Sequence, residues 1–315
     1  MKKIGLLISL MMLSILCACT EEDIEKDTYS LMVPNGSTSI AQVYMESNKT
    51  SLPFNYDVER VSGPESLTAA FTNESHDFII APSVLGAKLY QTGVNYKLVG
   101  TVSYGNLFLV SSSQMEGIND LKDKDIVAFG QLTTPDIILK KILDEHGLLE
   151  DATIDYVSSS QATLLELIRD DTQIVLMSEP FLSNAKEALD NLNVLNLSQL
   201  WESDLSFPNF PQAALYANND LSDDAIVEFT FHFQAAIDHV NNHPDQAAQF
   251  AETLNYPIDS SIIESSIPNS QLMFKTAMDA RTDFESFYQV IFDYNKVLIG
   301  SQLPGDDYYR NWDSE

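Results

Sequence analysis

The chain is short of cysteine, of basic residues and of long apolar runs, and each shortage narrows what it can be. Two cysteines occur in 315 residues, Cys17 and Cys19, in the stretch Leu16-Cys17-Ala18-Cys19. With none elsewhere, a disulfide framework or a multi-cysteine zinc site is excluded. Lys and Arg number 17 against 46 Asp and Glu, a formal net charge of −29. Nucleic acid is excluded as a partner, because neutralising phosphates takes clustered cations. The arginines, Arg60, Arg169, Arg281 and Arg310, are dispersed. The acids are scattered as well, which describes a solvated, self-repelling surface. The one apolar run, Ile4 to Leu16, is shorter than the roughly 20 residues a membrane span needs. G-x-S-x-G, P-loop and G-x-G-x-x-G motifs are all missing, which argues against the commonest catalytic and nucleotide-binding frameworks.

What is present begins with address. Lys2 and Lys3 precede Ile4 to Leu16, which is apolar apart from Gly5, Ser9 and Ser14. A basic start, a short apolar stretch and a small residue before a cut describe a secretory signal, with the cut between Ala18 and Cys19. Leu16-Cys17-Ala18-Cys19 resembles a bacterial lipobox, in which leucine stands three before the invariant cysteine. That resemblance implies that Cys19 becomes the lipidated first residue and that Cys17 leaves with the signal. An ordinary signal cut nearby would instead leave Cys19 as a spare thiol.

Residues 19–27 read as a polar stalk. Beyond it the pattern is α/β. Tyr29–Val33, Asn55–Val61 and Phe78–Ala81 read as strands, with helices over Ser39–Met45, from Gly63-Pro64 to Phe71, and from Pro82-Ser83 to Tyr90. Two strands, Tyr96–Tyr104 and Asn106–Ser111, break the alternation. It restarts at Ile126–Gly130 and runs through a helix from Pro135 to His146, then Ile154–Val157, Thr163–Arg169, Ile174–Met177, Phe181–Leu189 and Val194–Leu197. Ala213–Ala217 reads as a returning strand. Helices follow over Ser222–Asn241, Asp245–Leu254, Ser261–Ser266, Ser270–Ala280 and Thr282–Leu298. A mainly parallel α/β unit inserted in another, with a helical tail, predicts two lobes joined by two crossings, near Val110–Gln114 and Phe207–Gln212. The expected division is signal 1–18, stalk 19–27, lobe one 28–110 with 212–315, and lobe two 111–211.

Several segments then resemble a known class. Gly117-Ile118-Asn119-Asp120-Leu121-Lys122-Asp123-Lys124 is similar to the G-I-x-D-L-K-G-K segment of bacterial substrate-binding proteins, with Asp123 where those carry glycine. Met177-Ser178-Glu179-Pro180-Phe181 resembles the x-x-E-P turn of the nitrate/sulfonate/taurine and thiamine-precursor class. Asn242-His243-Pro244-Asp245-Gln246-Ala247-Ala248 and Leu303-Pro304-Gly305-Asp306-Asp307-Tyr308-Tyr309 resemble its later motifs. The resemblance implies a two-lobed type II periplasmic-binding-protein fold that closes by hinge motion on a small molecule. It also implies an ABC permease and ATPase as partners, a monomer, no cofactor, and lipid anchoring at the outer face of the cell membrane, most simply of a Gram-positive cell. A ligand-sensing module uncoupled from transport, or an enzyme on the same fold, are the alternative readings.

Ligands of open α/β sheets sit beyond the strand ends at helix N-termini. Four such ends are expected to face the cleft: Asn35-Gly36-Ser37 and Ala81-Pro82-Ser83 in lobe one, Gln131 with Thr133 and Thr134, and Ser178-Glu179, in lobe two. Helix capping alone would also explain their hydroxyls. Tyr104, Phe207 and Asn209 lie near the crossings, where an aromatic ring either stacks on a flat ligand or packs in the core. Glu179 either bonds local N–H groups or meets a cationic ligand. No arginine stands at any of these helix starts, which favours a neutral, heterocyclic (pyrimidine-type) or cationic solute over nitrate or a sulfonate. His232, Asp238, His239 and His243 have helical spacing, but Phe231, Phe233, Ile237 and Val240 among them describe a packing helix, so no metal is expected.

Overall fold

A computed structural model describes residues 27–205 and 209–312. The expected signal segment, Cys17, Cys19, the expected stalk up to residue 26, and Phe207 lie outside the described residues. The first run comprises β1 (Thr28–Pro34), α1 (Ser37–Ile40), α2 (Val43–Ser47), β2 (Asn55–Val61), α3 (Pro64–Asn73), β3 (Phe78–Pro82), α4 (Ser83–Tyr90) and β4 (Tyr96–Tyr104). The second comprises β5 (Phe108–Ser111), β6 (Asp125–Phe129), α5 (Thr134–Glu145), β7 (Thr153–Val157), α6 (Ser160–Arg169), β8 (Ile174–Met177), α7 (Phe181–Ala188), β9 (Asn193–Asn196) and α8 (Leu197–Leu205). β10 (Pro211–Asn218) returns to the first lobe, and α9 (Asp223–Asn242), α10 (Pro244–Thr253), α11 (Ser260–Ser266) and α12 (Arg281–Asn295) complete it.

The two sheets share one plan. The first is ordered β2-β1-β3-β10-β4 and the second β7-β6-β8-β5-β9. In each, three parallel strands are followed by one antiparallel strand, β10 or β5, which also pairs antiparallel with the far edge strand. That inserted strand is in both cases the one by which the chain enters from the other lobe. The sheets are therefore mixed, where alternation along the sequence reads as mainly parallel. β3 and β8 lie inside their sheets and carry the apolar runs Phe78–Ala81 and Ile174–Met177, all buried, as strands covered on both faces require.

Two expectations need correcting. The chain passes between the sheets at Gly105-Asn106-Leu107, ahead of the expected Val110–Gln114, because β5 belongs to the second sheet. Gly105 (φ 53°) and Asn106 (φ 64°) are both left-handed, a sharp redirection suited to these two residue types. Nor is Ser270–Ala280 a helix. It runs along the free edge of β4, where Met273 N–H donates to Val102, Thr101 N–H to Lys275 and Ala277 N–H to Val99. Gly100 permits that approach, since a Cβ there would lie 2.4 Å from the Lys275 carbonyl oxygen. The edge is thereby covered.

α9 shows how pattern becomes packing. Ile226, Phe229, Phe233, Ala236, Ile237 and Val240 recur at three- and four-residue steps and are all buried. Phe229 stacks on Phe78 of β3 with ring centroids 3.7 Å apart. Ser222 caps the helix, its Oγ accepting Ala225 N–H at 3.2 Å. Between the lobes, Trp201 of α8 packs edge-on against Phe210 and Phe287, so one apolar core is continuous from the second sheet to α12.

Candidate functional site

Strand ends of both sheets meet at one cavity of about 200 Å³. Lobe one contributes the turn Pro34–Thr38 leading into α1, the turn Val61–Pro64 leading into α3, and Pro82, Ser103, Gln212 and Ala213. Lobe two contributes Phe129 and Gly130, Thr133–Pro135 at the start of α5, Ser158–Gln161 at the start of α6, and Ser178, Glu179 and Phe181 before and within α7. Asn106 of the crossing forms part of the lining. The site is thus a ring of helix N-termini with small hydroxyls, as open α/β sheets favour.

Most of these helix ends are already satisfied from within. Asp136, 1% exposed in the first turn of α5, accepts Leu132 N–H at 2.8 Å and the Tyr156 hydroxyl, and pairs with Lys140 at 3.0 Å. Ser159 Oγ accepts Ala162 N–H at 3.2 Å, and Ser160 Oγ accepts Ser178 N–H at 2.9 Å. Two of the lining residues each carry a fully enclosed polar atom without a hydrogen-bond partner among the described residues, Thr134 Oγ1 and Gln212 Oε1.

Among the described residues, Glu179 is the single charged residue in the lining. Its carboxylate accepts Ser183 N–H (2.9 Å), Ser183 Oγ–H (3.1 Å) and Asn269 Nδ2–H (3.2 Å). Burial pushes its carboxyl above the ordinary 4.5, while the bonds from Ser183 and Asn269 and the charge of Lys186 oppose that shift. Its backbone joins the lobes: N–H donates to Asn106 Oδ1 at 2.7 Å, and the carbonyl accepts Ser37 Oγ–H at 2.7 Å. Ser37 Oγ in turn accepts Asn106 Nδ2–H at 3.1 Å and Ser270 Oγ–H at 3.0 Å. Both carboxylate oxygens therefore bond protein groups, on a residue that also lines the cavity.

Of the residues singled out from sequence, Asn35, Gly36, Ser37, Pro82, Thr133, Thr134, Ser178 and Glu179 converge on the cavity. Ala81 and Ser83 do not; Ser83 Oγ donates to the Pro211 carbonyl at 2.5 Å, tying α4 to β10. Gln131 is exposed and outside the lining. Tyr104 and Asn209 border a separate pocket with Lys275 and Asp283. There the Tyr104 hydroxyl donates to Asp283 at 2.7 Å, and Asn209 Nδ2 donates to Gln271 at 2.5 Å. Ser158-Ser159-Ser160 also lies in the lining, the helix starting at Ser160, ahead of the expected Thr163. Ser103 and Gln212 sit in strands, where nothing local marks them. His239 stacks on Tyr44 (centroids 4.0 Å apart), and His232 lies edge-on to Phe54. Among the described residues no group of three or more His, Cys, Asp or Glu is placed to hold a metal ion.

No protein-family model matches the chain, and no curated protein is similar enough in sequence to match it. Solved structures do match. An ABC transporter protein from Parabacteroides distasonis superposes with a TM-score of 0.79 at 21% identity, over 91% of this chain and 99% of that one. The alkanesulfonate-binding protein SsuA from Xanthomonas axonopodis pv. citri, bound to MOPS, gives 0.66 at 15% identity, over 89% and 96%. A conserved Candida albicans gene product, described as exhibiting the generic periplasmic binding protein structural fold, gives 0.58 at 12% identity, over 89% and 92%. The fold is that of the periplasmic binding proteins. In it, the cavity between the sheets is the inter-lobe cleft, and Gly105–Leu107 and Asn209-Phe210 belong to the two crossings. These lie side by side, Gly105 N–H donating to the Phe210 carbonyl at 3.1 Å. No helix among the described residues is long and apolar enough to cross a membrane.

Proposed function

We propose that the protein is the extracytoplasmic solute-binding component of an ABC importer, closing its lobes on a small organic molecule and presenting it to a permease–ATPase complex. The observation that carries this reading is a cavity walled by both lobes, with Gly105 and Phe210 of the two crossings hydrogen-bonded to each other, a geometry in which ligand contact and lobe rotation are coupled. Solved structures named as ABC transporter components share the fold, which supports it. On this reading Cys19 carries the lipid, and residues 19–27 form the tether to the outer face of the cell membrane, most simply in a Gram-positive cell. The receptor acts as a monomer. The ligand leaves chemically unchanged, since the one carboxylate in the lining is engaged by Ser183 and Asn269.

The test is a titration of the full-length chain in detergent with small nitrogenous and sulfonated solutes, following thermal unfolding and small-angle scattering together. A cognate solute raises the melting temperature by mass action and lowers the radius of gyration. Mass spectrometry of the released solute should show its original mass. A converted solute would make the protein an enzyme, and stabilisation without compaction would remove the hinge from the mechanism.

A further inference from the structure

We propose that the outward face of α9, carrying Val227, Phe231 and Ala235, lies on the lipid surface to which the chain is tethered and so fixes how lobe one sits on it. The proposal rests on the reading above that Cys19 carries the lipid, and adds where the folded body touches the bilayer. The surface it fits is a lipid interface without net charge, met by apolar contact.

The first argument is reach. Thr28, where β1 begins, stands nine residues beyond Cys19. Nine residues span at most about 32 Å fully extended. A folded body of this length is roughly 50 Å across. The tether is therefore shorter than the body is wide, and the surface around Thr28 is held toward the lipid. α9 belongs to that surface. The Asp27 carbonyl accepts Asn55 N–H at 2.7 Å, and next to Asn55 the Phe54 ring stacks on Phe229 (centroids 6.0 Å apart) and lies edge-on to His232 (5.6 Å). Tyr29, the second residue of β1, is 6.1 Å from Phe229 in the same way. The His232 ring adjoins that of Phe231, so the tether's exit and the outward face of α9 are neighbours.

The second argument is what that face exposes. α9 turns Ile226, Phe229, Phe233 and Ile237 inward, while Val227, Phe231 and Ala235 follow one another at four-residue steps on the outside, all exposed. Phe231, 69% exposed, is the most exposed large apolar side chain among the described residues. Single exposed apolar residues are ordinary. An aromatic ring between two aliphatic neighbours on one helix face, beside a lipid tether, is instead the arrangement of a helix lying on a membrane interface. Charge then selects the lipid. Asp224 and Asp238 border the strip and are exposed, and α9 holds no Lys or Arg. Arg310 engages Asp223 at 2.6 Å and leaves those two carboxylates unopposed by it. They repel an anionic headgroup layer and tolerate a zwitterionic one. A second copy on this face would set the same carboxylates against each other. Two acyl chains already suffice to retain the protein, so the contact orients it.

The experiment uses the full-length chain, expressed with its signal in a bacterial host and reconstituted into phosphatidylcholine vesicles whose acyl chains are brominated near the headgroup, which quench nearby tryptophan. Phe231→Trp reports from α9, and Leu165→Trp from the exposed side of α6 in the other lobe; the parent's own signal is subtracted. Emission of Phe231→Trp should be quenched at least threefold more than that of Leu165→Trp. Adding Val227→Asp should halve that quenching, and replacing a third of the phosphatidylcholine by phosphatidylglycerol should reduce it as well. Vesicle-bound protein quenched equally at both positions, or not at all at position 231, overturns the proposal and leaves the lipid anchor standing. Quenching indifferent to Val227→Asp also overturns it, because the tether alone then sets the approach, and stronger quenching with phosphatidylglycerol overturns the class of lipid. A chain that does not float with the vesicles overturns the anchor and the proposal together. A dimer in detergent that Phe231→Asp dissociates would give the face to a second copy. All variants should melt with the parent, since each changes an exposed side chain; a lower melting temperature for Phe231→Trp would make this ring part of the core and overturn the proposal.

Discussion

The Ser37 hydroxyl donates to the backbone carbonyl of Glu179 at 2.7 Å, a hydrogen bond between helix starts on opposite lobes. Both partners are buried, and Asn106 of the crossing bonds each of them. Replacing Ser37 by Ala removes one inter-lobe bond and leaves a buried carbonyl without that donor. The expected cost is about 1–2 kcal/mol, read as a lower urea midpoint with unchanged slope. Small-angle scattering should show a larger radius of gyration in the variant. An unchanged radius would mean that Ser37 stabilises lobe one without clasping lobe two.

Glu179 supplies a pH signature. Its folded-state pKa is raised above the ordinary 4.5 by burial, so the folded chain holds this proton more tightly than the unfolded chain. The group's contribution to stability is therefore greatest below 4.5 and declines as pH rises through the folded value. Glu179→Gln abolishes that contribution. The difference in urea-unfolding free energy between the parent and the variant should drift against the parent from about pH 4.5 upward and then level off. A flat difference would contradict the raised pKa.

Asp136 anchors the loop before α5. Asp136→Ala leaves the Tyr156 hydroxyl, Leu132 N–H and Lys140 without their shared acceptor. Breaking a fully buried pair costs about 3–5 kcal/mol; with Lys140 28% exposed, about 2–3 kcal/mol is expected here. The Tyr156 phenol is pushed up to about 12 by burial and by its bond to Asp136. In the variant it should titrate lower by ultraviolet absorbance, which a merely loosened loop far from Tyr156 would not produce.

Gly86 faces Tyr216 with no room for a methyl group: a Cβ there would lie 2.1 Å from the ring. Tyr216 cannot yield, because its hydroxyl bonds the Ser83 carbonyl and Tyr308 and the residue is 1% exposed. Gly86→Ala should cost at least about 1–3 kcal/mol by overpacking. Gly117→Ala is the control, with nothing within 4 Å of an added Cβ, and should stay within about 0.5 kcal/mol. Equal melting temperatures for the two variants would refute the packing assigned to α4 on β10.

Much of this architecture is legible in the sequence, for identifiable reasons. Phe78–Ala81 and Ile174–Met177 read as central strands because burial on both faces forces unbroken apolar runs. α5 is announced by Thr134-Pro135, and its fill of isoleucine and leucine. Ser270–Ala280 misled because its residues suit a helix, while the decision lay elsewhere: β4 has a free edge and a glycine at position 100. The cleft is half legible. Glycine, proline and hydroxyl residues mark helix starts, but which starts share a cavity depends on the order of strands. Gln212 escapes altogether, since a polar residue in a strand carries no local sign that it faces another lobe.

The position of β10 sets an order of assembly. It lies between β3 and β4, so β4 has no partner within its sheet until Pro211–Asn218 has been synthesised, after the whole second lobe. Along a growing chain, residues 108–196 can complete their own five-stranded sheet while the first sheet still lacks its fourth strand. Lobe two is then the first unit able to fold, and it must do so inside a host that is still incomplete.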